Sequence, residues 1–171
     1  MDSPEQHFQA FVNAEARALL RTAYLLTGDR GHAEDLMQTA LYLAYLHWRK
    51  VMRYERPDAY VRKVMLNERR KYWRRHRPDE HLTAEPPDRG QPDGTAAVHA
   101  RDQLWAELRR LAPRTRAVVV LRYWEDRSEA DTADILGCSV GTVKKLAARG
   151  LGQLRHHLDG PGADIQSEVY P

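Results

Sequence analysis

Apolar side chains recur three and four residues apart along most of this chain, which predicts amphipathic helices rather than strands. Three such helices are predicted in the first half of the chain, over residues 3–27, 31–48 and 57–77. Local chemistry supports their ends, because Ser3 is a helix-capping residue and Gly28 is suited to a helix end. Only residues 118–121 form a strand-like apolar run, and inside a helical setting we interpret that run as helix. The pattern predicts an all-α protein.

The composition changes abruptly at Pro78. Residues 78–97 contain four of the nine prolines and two of the ten glycines, with five acidic residues against the single basic residue Arg89. Such a stretch is typical of a flexible linker. We therefore predict two small helical domains joined by this linker, over residues 1–77 and 98–158, and a tail over residues 159–171.

The second predicted domain contains two short helices separated by a tight turn. Ser128 is expected to cap the first helix, Gly137 to end it, and Ser139 to cap the second helix. The second helix is expected to extend to Leu158, with Gly150 and Gly152 weakening its end. Its outer face carries side chains suited to phosphates and base edges, namely Thr142, Lys144, Lys145 and Arg149. This spacing is typical of a DNA-binding helix-turn-helix, although a helical hairpin with a solvated basic face shares these features.

The end of the third predicted helix is strongly basic. Between Arg62 and Arg77, eight lysines and arginines stand against one acid, Glu68, and the aromatic residues Tyr72 and Trp73 lie among them. Cations bind a phosphate backbone and flat rings stack on unpaired bases, so the pattern favours single-stranded or distorted nucleic acid. A solvated helix end and a membrane-surface stripe are the alternatives. We favour nucleic acid because the aromatic residues cluster with the charge instead of facing it across the helix.

Length and composition exclude several classes of protein. The chain has 171 residues, a net charge of +3 and one cysteine, Cys138, so an internal disulfide framework is excluded. The first residues are polar and acidic, unlike a signal peptide, and no apolar run approaches the ~20 residues that span a bilayer. We predict a soluble, cytoplasmic protein without membrane insertion.

An enzyme is not expected. The eight histidines are scattered, and the adjacent pair His156 and His157 cannot share a helix face as metal ligands. The sequence also lacks a phosphate-binding glycine loop of the P-loop or dinucleotide type. We therefore predict no catalytic residue, no metal, no cofactor and no small-molecule substrate.

Several stretches together resemble the extracytoplasmic-function (ECF) group of bacterial RNA polymerase sigma factors, which are two-domain proteins of the sigma-70 type. The resemblance is carried by residues 33–38 (AEDLMQ), Trp48, residues 59–62 (AYVR) with Asn67, and residues 137–144 (GCSVGTVK). Each stretch is short, but their order and spacing are specific. The match covers nearly all of both predicted domains.

The resemblance implies partners and sites. Core RNA polymerase would bind residues on the polar face of the second helix: Glu34, Asp35 and Gln38. The loop over residues 49–57, with Asn67, would trap an unstacked base of the melted non-template strand, and the basic helix would hold the adjacent backbone. The residues assigned to this minus-ten site are Trp48, Arg49, Lys50, Arg53, Tyr54, Arg62, Asn67, Arg70 and Arg74. For Trp48 a place in the helical core is the alternative, because tryptophan at such a position is more often core than base-stacking. The helix-turn-helix would read the minus-thirty-five element as duplex DNA through Thr142, Lys144, Lys145 and Arg149. An anti-sigma factor is a further candidate partner.

Two positions depart from the usual pattern of that group, and two other functions compete with it. Thr39 stands where an acid is common, and Lys145 stands where serine is common, which adds a phosphate contact or alters base preference. A helix-turn-helix repressor or activator with an N-terminal regulatory domain is the main alternative, but it leaves the basic aromatic helix of the first domain unexplained. A sigma-mimicking protein that binds an inhibitor instead of DNA would be expected to lack the cations of the recognition helix.

Overall fold

The computed structural model describes residues 3–75 and 96–158. Within these ranges every regular element is helical and no strand occurs. The chain divides into two compact units, Met1–Asp102 and Gln103–Pro171. The predicted all-α fold in two helical parts is confirmed. Ala96 and Ala97, predicted to end the linker, already belong to a helix, while the rest of that linker and the predicted tail lie outside the described residues.

The first unit contains four helices: α1 (Pro4–Thr27), α2 (Arg30–Leu46), α3 (Trp48–Val51) and α4 (Pro57–Arg75). Helix α2 packs between its neighbours, with α1 along one side and α4 along another. Small residues on α2 allow this close packing, since Ala33, Ala40 and Ala44 are fully buried. The larger buried side chains of this unit come from the other helices and include Leu19, Val51, Val61 and Met65.

Local hydrogen bonds fix the ends of α1 and the start of α2. The Ser3 hydroxyl accepts from the Gln6 amide, and the Gln6 side chain accepts from the Ser3 amide, which is a complete capping box. Gly28 ends α1 in the left-handed conformation, with φ of 76°. The Asp29 carboxylate then accepts from the His32 amide at 2.7 Å and caps α2. The sequence predicted these helix ends correctly because every partner lies within four residues.

The end of the second helix differs from the prediction. Helix α2 stops at Leu46, and His47 leaves the helical conformation with φ of −117° and ψ of 15°. A separate short helix, α3, then begins at Trp48 and extends into residues 49–57, the segment expected to be a connection. The prediction of a continuous helix to Trp48 is therefore wrong, because the helix is interrupted at His47, directly before Trp48.

Helix α5 (Ala96–Arg110) crosses the boundary between the units, and its residues from Gln103 onward belong to the second unit. The second unit also contains α6 (Pro113–Val119), a π-helical segment (Val120–Trp124), α7 (Glu129–Leu136) and α8 (Val140–Leu158). Its helix-turn-helix core joins four buried residues, Val118, Ala133, Val143 and Ala147, with Leu136, Cys138 and Leu146 packed against them. The apolar run over residues 118–121 is helical, as expected. Cys138 lies in the turn against this core, in a structural position.

A buried arginine closes the corner between α5 and α6. The last carbonyls of a helix have no partner within that helix. Arg116, only 6% exposed, donates from Nε to the Leu108 carbonyl at 2.8 Å. Its Nη2 donates to the Arg109 carbonyl at 3.0 Å and to the Leu111 carbonyl at 3.3 Å. One guanidinium therefore satisfies three carbonyls at the end of α5.

Gly150 has a packing role that the sequence did not indicate, and substituting it tests that role. A Cβ at this position would lie 2.6 Å from Val119 Cγ2 and 3.0 Å from Thr115 Cγ2, whereas a Cβ at Gly152 meets nothing within 4 Å. We expect Gly150→Ala to lower the free energy of unfolding by about 1–3 kcal/mol, because overpacking displaces two buried, branched side chains. Gly152→Ala is the matched control and should raise it by up to about 1 kcal/mol through helix propensity. Urea titrations followed by circular dichroism compare the two, and equal effects would contradict the packing role of Gly150.

Candidate functional site

The helix-turn-helix is held together by the predicted local contacts. The Ser128 hydroxyl accepts from the Asp131 amide at 3.0 Å, and the Ser139 hydroxyl accepts from the Thr142 amide at 3.1 Å. Between them, Gly137 ends α7 with φ of 61°, in the left-handed region. These contacts confirm the predicted caps and turn. They place α8 across α7 with one face buried and the other exposed.

The outer face of α8 carries the four side chains assigned to duplex DNA. Lys145 and Arg149 are exposed and have no hydrogen-bond or ion partner among the described residues. Lys144 is also exposed, but its Nζ lies 3.6 Å from a carboxylate oxygen of Glu129 on α7. The hydroxyl of Thr142 lies 2.9 Å from that of Ser139. Two of the four side chains are therefore free, and two are engaged within the helix-turn-helix.

The basic helix α4 carries its cations on two different stripes. Lys63, Asn67, Arg70 and Arg74 follow one another by four, three and four residues, and all four are exposed. With a rise of about 1.5 Å per residue, the stripe from Asn67 to Arg74 extends about 10 Å. Tyr72 and Trp73 remain 45% and 42% exposed beside it. The arrangement provides cations and aromatic faces on the surface of one helix.

Arg62 lies on the inner stripe of the same helix. Its side chain is 3% exposed and lies between two carboxylates, with Nη1 at 3.3 Å from Asp58 and Nη2 at 3.5 Å from Glu15. A buried charge needs such partners, and removing it would leave carboxylates unpaired inside the protein. The prediction that Arg62 contacts DNA is therefore wrong, because this side chain links α4 to α1.

Arg69 lies on the same inner stripe, seven residues after Arg62. It donates from Nε and Nη2 to the Leu26 carbonyl near the end of α1, at 3.2 and 3.1 Å. Burial lowers the pKa of its guanidinium below the ordinary value of an arginine, but the group stays charged at neutral pH. The same guanidinium lies 5.1 Å from the centre of the Trp73 ring and so orients that exposed aromatic side chain.

Trp48 is buried and is not a base-stacking residue. It is 2% exposed, and its ring centre lies 4.9 Å from the ring centres of both Phe8 and Phe11. These contacts attach α3 to the first turns of α1. The prediction that Trp48 takes part in the minus-ten site is therefore wrong, and its role is to fix the direction of the loop that follows.

That loop presents the remaining candidates for the minus-ten site. Arg49 and Lys50 on α3 are exposed, as are Arg53 and Tyr54 in the turn after it. The ring of Tyr54 lies 5.7 Å from that of Tyr60 in the first turn of α4, so the loop contacts the start of the basic helix. Asn67 follows Tyr60 by two helical turns, which is about 10 Å along the axis. The loop and the exposed stripe of α4 therefore occupy neighbouring parts of one surface.

The candidate polymerase face on α2 is more extensive than the sequence indicated. Asp35 and Gln38 are exposed, and Glu34 is half-buried and accepts from Arg30 Nε at 2.8 Å. Two apolar side chains continue the same stripe, since Tyr42 is 62% exposed and Leu46 is 55% exposed. The spacing of residues 35, 38, 42 and 46 contains this signal, because it follows one helix face. The sequence-based prediction ended this face at Gln38 and assigned Tyr42 and Leu46 to neither face of the helix.

The described residues contain neither a membrane-spanning helix nor a metal-binding cluster. No helix there combines the length and the apolar character that a bilayer-spanning segment needs. No group of three or more histidine, cysteine or acidic side chains there is arranged to hold a metal ion.

Known proteins resemble this chain throughout both units. The sequence matches the family profile described as sigma-70 region 2 over residues 11–78, and that described as sigma-70, region 4 over residues 101–154. It is 40% identical over 160 residues to the RNA polymerase sigma-E factor of Streptomyces avermitilis, covering 94% of this chain and 89% of the relative. It is 30% identical over 141 residues to the ECF RNA polymerase sigma factor SigL of Mycobacterium tuberculosis, covering 80% of each.

Two solved structures share the fold. One is the sigma factor RpoE in complex with the anti-sigma factor NepR from Bartonella quintana, with a TM-score of 0.68, 24% identity, and coverage of 90% of this chain and 98% of that one. The other is CnrH in complex with the cytosolic domain of CnrY, with a TM-score of 0.67, 22% identity, and coverage of 90% and 88%.

Two helical units, the second a helix-turn-helix with a basic outer face, define the class of the protein as an all-α regulator of transcription. The identity to the curated relatives extends over nearly the whole chain. The chain belongs to the ECF group of RNA polymerase sigma factors, and it is an alternative sigma factor.

Proposed function

We propose that this sigma factor binds core RNA polymerase through the exposed face of α2 and contacts promoter DNA through the α3–α4 surface and α8. One observation carries the proposal. On each of the three surfaces, polar or cationic side chains remain exposed and without a partner among the described residues: Asp35 and Gln38 on α2, Arg70 and Arg74 on α4, and Lys145 and Arg149 on α8. Buried cations such as Arg62 and Arg116 bind groups within the protein and are not part of these surfaces.

The α2 face suits a protein partner. Asp35 and Gln38 offer a charge and an amide for directional contacts, and Tyr42 and Leu46 add apolar area beside them. Exposed aromatic and aliphatic side chains with a polar rim are typical of a docking surface. The curated relatives are named as RNA polymerase sigma factors, so core polymerase is the partner that we assign to this face.

The α3–α4 surface suits melted DNA. Extruding a base from duplex DNA costs a few kcal/mol, which cations on the strand and a stacking surface offset. Arg49, Lys50 and Arg53 precede the exposed Tyr54 in the same segment, and Arg70 and Arg74 add exposed cations along α4. We assign the non-template strand of the minus-ten element to this surface, with Asn67 beside the trapped base.

Helix α8 suits duplex DNA, because its buried face fixes the orientation of a basic outer face. We assign the minus-thirty-five element to it, with Lys145 and Arg149 as the free cations that enter or border the major groove. We further propose that the protein acts by binding alone, without catalytic residue or cofactor, in the cytoplasm. Both similar solved structures are complexes, one of them with an anti-sigma factor, and such a protein is a candidate partner here.

Cutting the chain between its two units tests the assignment of functions to them. We expect a fragment of residues 1–77 to retain core RNA polymerase in a pull-down and a fragment of residues 98–158 not to, since the α2 face lies in the first. The full chain, which combines both DNA surfaces at high effective concentration, should bind promoter DNA more tightly than either fragment. Circular dichroism of each fragment first establishes that it is helical.

A repressor or activator predicts the opposite result. The fragment of residues 98–158 would then keep nearly all the DNA affinity of the full chain. The fragment of residues 1–77 would not bind polymerase. Retention of polymerase by residues 98–158 alone would overturn the proposed division of labour between the units.

A further inference from the structure

The two helices of the helix-turn-helix are joined by an exposed ion pair. Lys144 Nζ on α8 lies 3.6 Å from Glu129 Oε2 on α7, and the two side chains are 64% and 38% exposed. Neither side chain has another ion partner among the described residues. Exposed pairs of this kind add little to stability. The main effect of the contact is that each charge is partly neutralised by the other.

The helical positions of the two lysines explain why only one of them is paired. Val143 is fully buried, and each further residue turns about 100° around the helix. Lys144 therefore projects along the flank of α8 that faces α7, whereas Lys145 projects from the side opposite the core. Glu129 is the first residue of α7 and reaches that flank.

In a docked helix-turn-helix, the second helix enters the major groove and the first helix crosses the phosphate backbone. Glu129 then lies on the helix that meets the phosphates, where an unpaired carboxylate would be repelled. An unpaired Lys144 in the same place would be free to bind a phosphate without regard to sequence. When they are paired, Glu129 and Lys144 contribute almost no net charge to the contact between the protein and DNA.

We propose that Glu129 restrains sequence-independent DNA binding by holding Lys144 in a neutral pair. The inference rests on the proposed function, because it needs α8 to dock on duplex DNA. It assigns unequal roles to the adjacent lysines: Lys145 binds DNA directly, while the contribution of Lys144 is largely cancelled. Glu129 is therefore a positioning residue that acts through Lys144.

The test is the salt dependence of binding to a fluorescein-labelled, mixed-sequence duplex of about 25 base pairs, measured by anisotropy with the full chain. Each phosphate contact adds about 0.9 to the slope of log K against log salt, which is about 3.5-fold in affinity between 50 and 200 mM salt. We expect Glu129→Gln to steepen the slope by about 0.9 and to tighten binding at 50 mM salt several-fold. In the Lys144→Ala background the same substitution should change the slope by much less.

Controls separate this mechanism from a general effect of charge. Asp134→Asn removes the same charge from an exposed position on the same helix and should leave the slope nearly unchanged. Lys145→Ala should reduce the slope by about 0.9. Thermal unfolding of each variant shows that the fold is retained.

The outcomes distinguish the two proposals. If Lys145→Ala leaves the slope and the affinity unchanged, α8 is not a DNA surface, and the proposed reading of duplex DNA fails together with this inference. If Lys145→Ala reduces the slope but Glu129→Gln leaves it unchanged or weakens binding, only the restraining role of Glu129 is overturned. An equal effect of Asp134→Asn, or of Glu129→Gln with and without Lys144, overturns it as well.

Discussion

Replacing Asp35 with arginine and Gln38 with alanine will weaken binding of the full chain to core RNA polymerase by at least about tenfold, a loss of about 1.4 kcal/mol or more. Both side chains are exposed on α2 and have no partner among the described residues, so the folded chain does not depend on them. Surface substitutions of this kind usually change stability by less than about 0.5 kcal/mol. The arginine places a charge of the wrong sign in the centre of the proposed contact.

Biolayer interferometry against immobilised core polymerase measures the loss, and thermal unfolding measured by circular dichroism checks the fold. The matched control is Arg17→Glu, which also inverts an exposed charge in the first unit but lies on α1. Its affinity should stay within about twofold of the wild type, because it lies outside the α2 face. The two variants change the net charge in opposite directions, so equal losses in both would show that polymerase binding does not depend on this face in particular.

Replacing Trp48 with alanine will lower the free energy of unfolding of the first unit by about 3–5 kcal/mol, the usual cost of removing a large aromatic side chain from a core. The ring is 2% exposed and contacts Phe8 and Phe11 at 4.9 Å between ring centres. Its loss removes the packing that attaches α3 to α1. The loop that carries Arg49 to Tyr54 would then lose its fixed position.

Trp48→Phe is the informative control. The indole Nε1 is buried without a hydrogen-bond partner among the described residues, so phenylalanine removes no hydrogen bond there and keeps most of the packing. Urea unfolding followed through the NMR signal of the buried Met65 methyl reports on the first unit separately from the second. A base-stacking role for Trp48 would instead give alanine and phenylalanine variants of nearly wild-type stability that fail only in DNA melting.

The parts of this fold that the sequence predicted are those specified by neighbouring residues. The turn of the helix-turn-helix depends on Ser128, Gly137 and Ser139, and each acts on backbone groups within a few residues. The start of α1 at Ser3 and the turn at Gly28 follow the same rule. Such contacts depend little on the rest of the molecule, so capping rules and helical periodicity are sufficient to find them.

The errors concern burial, which depends on helices distant in sequence. A count of the charges on the third predicted helix, which is α4 in the structure, groups Arg62 with the exposed cations. Arg62 is buried instead, because it pairs with Glu15, which lies 47 residues earlier in the chain. The stripes of α4 separate the two kinds of cation, since Arg62, Met65 and Arg69 face inward while Lys63, Arg70 and Arg74 face outward. Trp48 was assigned to the minus-ten site through the resemblance, whereas its ring contacts with Phe8 and Phe11 of α1 place it in the core.

The cap that Arg116 provides for α5 has a consequence for the order in which the second unit forms. The Arg116 side chain, on the next helix, donates to the carbonyls of Leu108, Arg109 and Leu111. This helix end is therefore not capped by a local glycine or asparagine. The end of α5 is therefore completed only when α6 docks, and the two helices must open together. In hydrogen exchange, amides in the last turn of α5 should share the protection of α6 instead of fraying independently, which makes this corner one cooperative element beneath the helix-turn-helix.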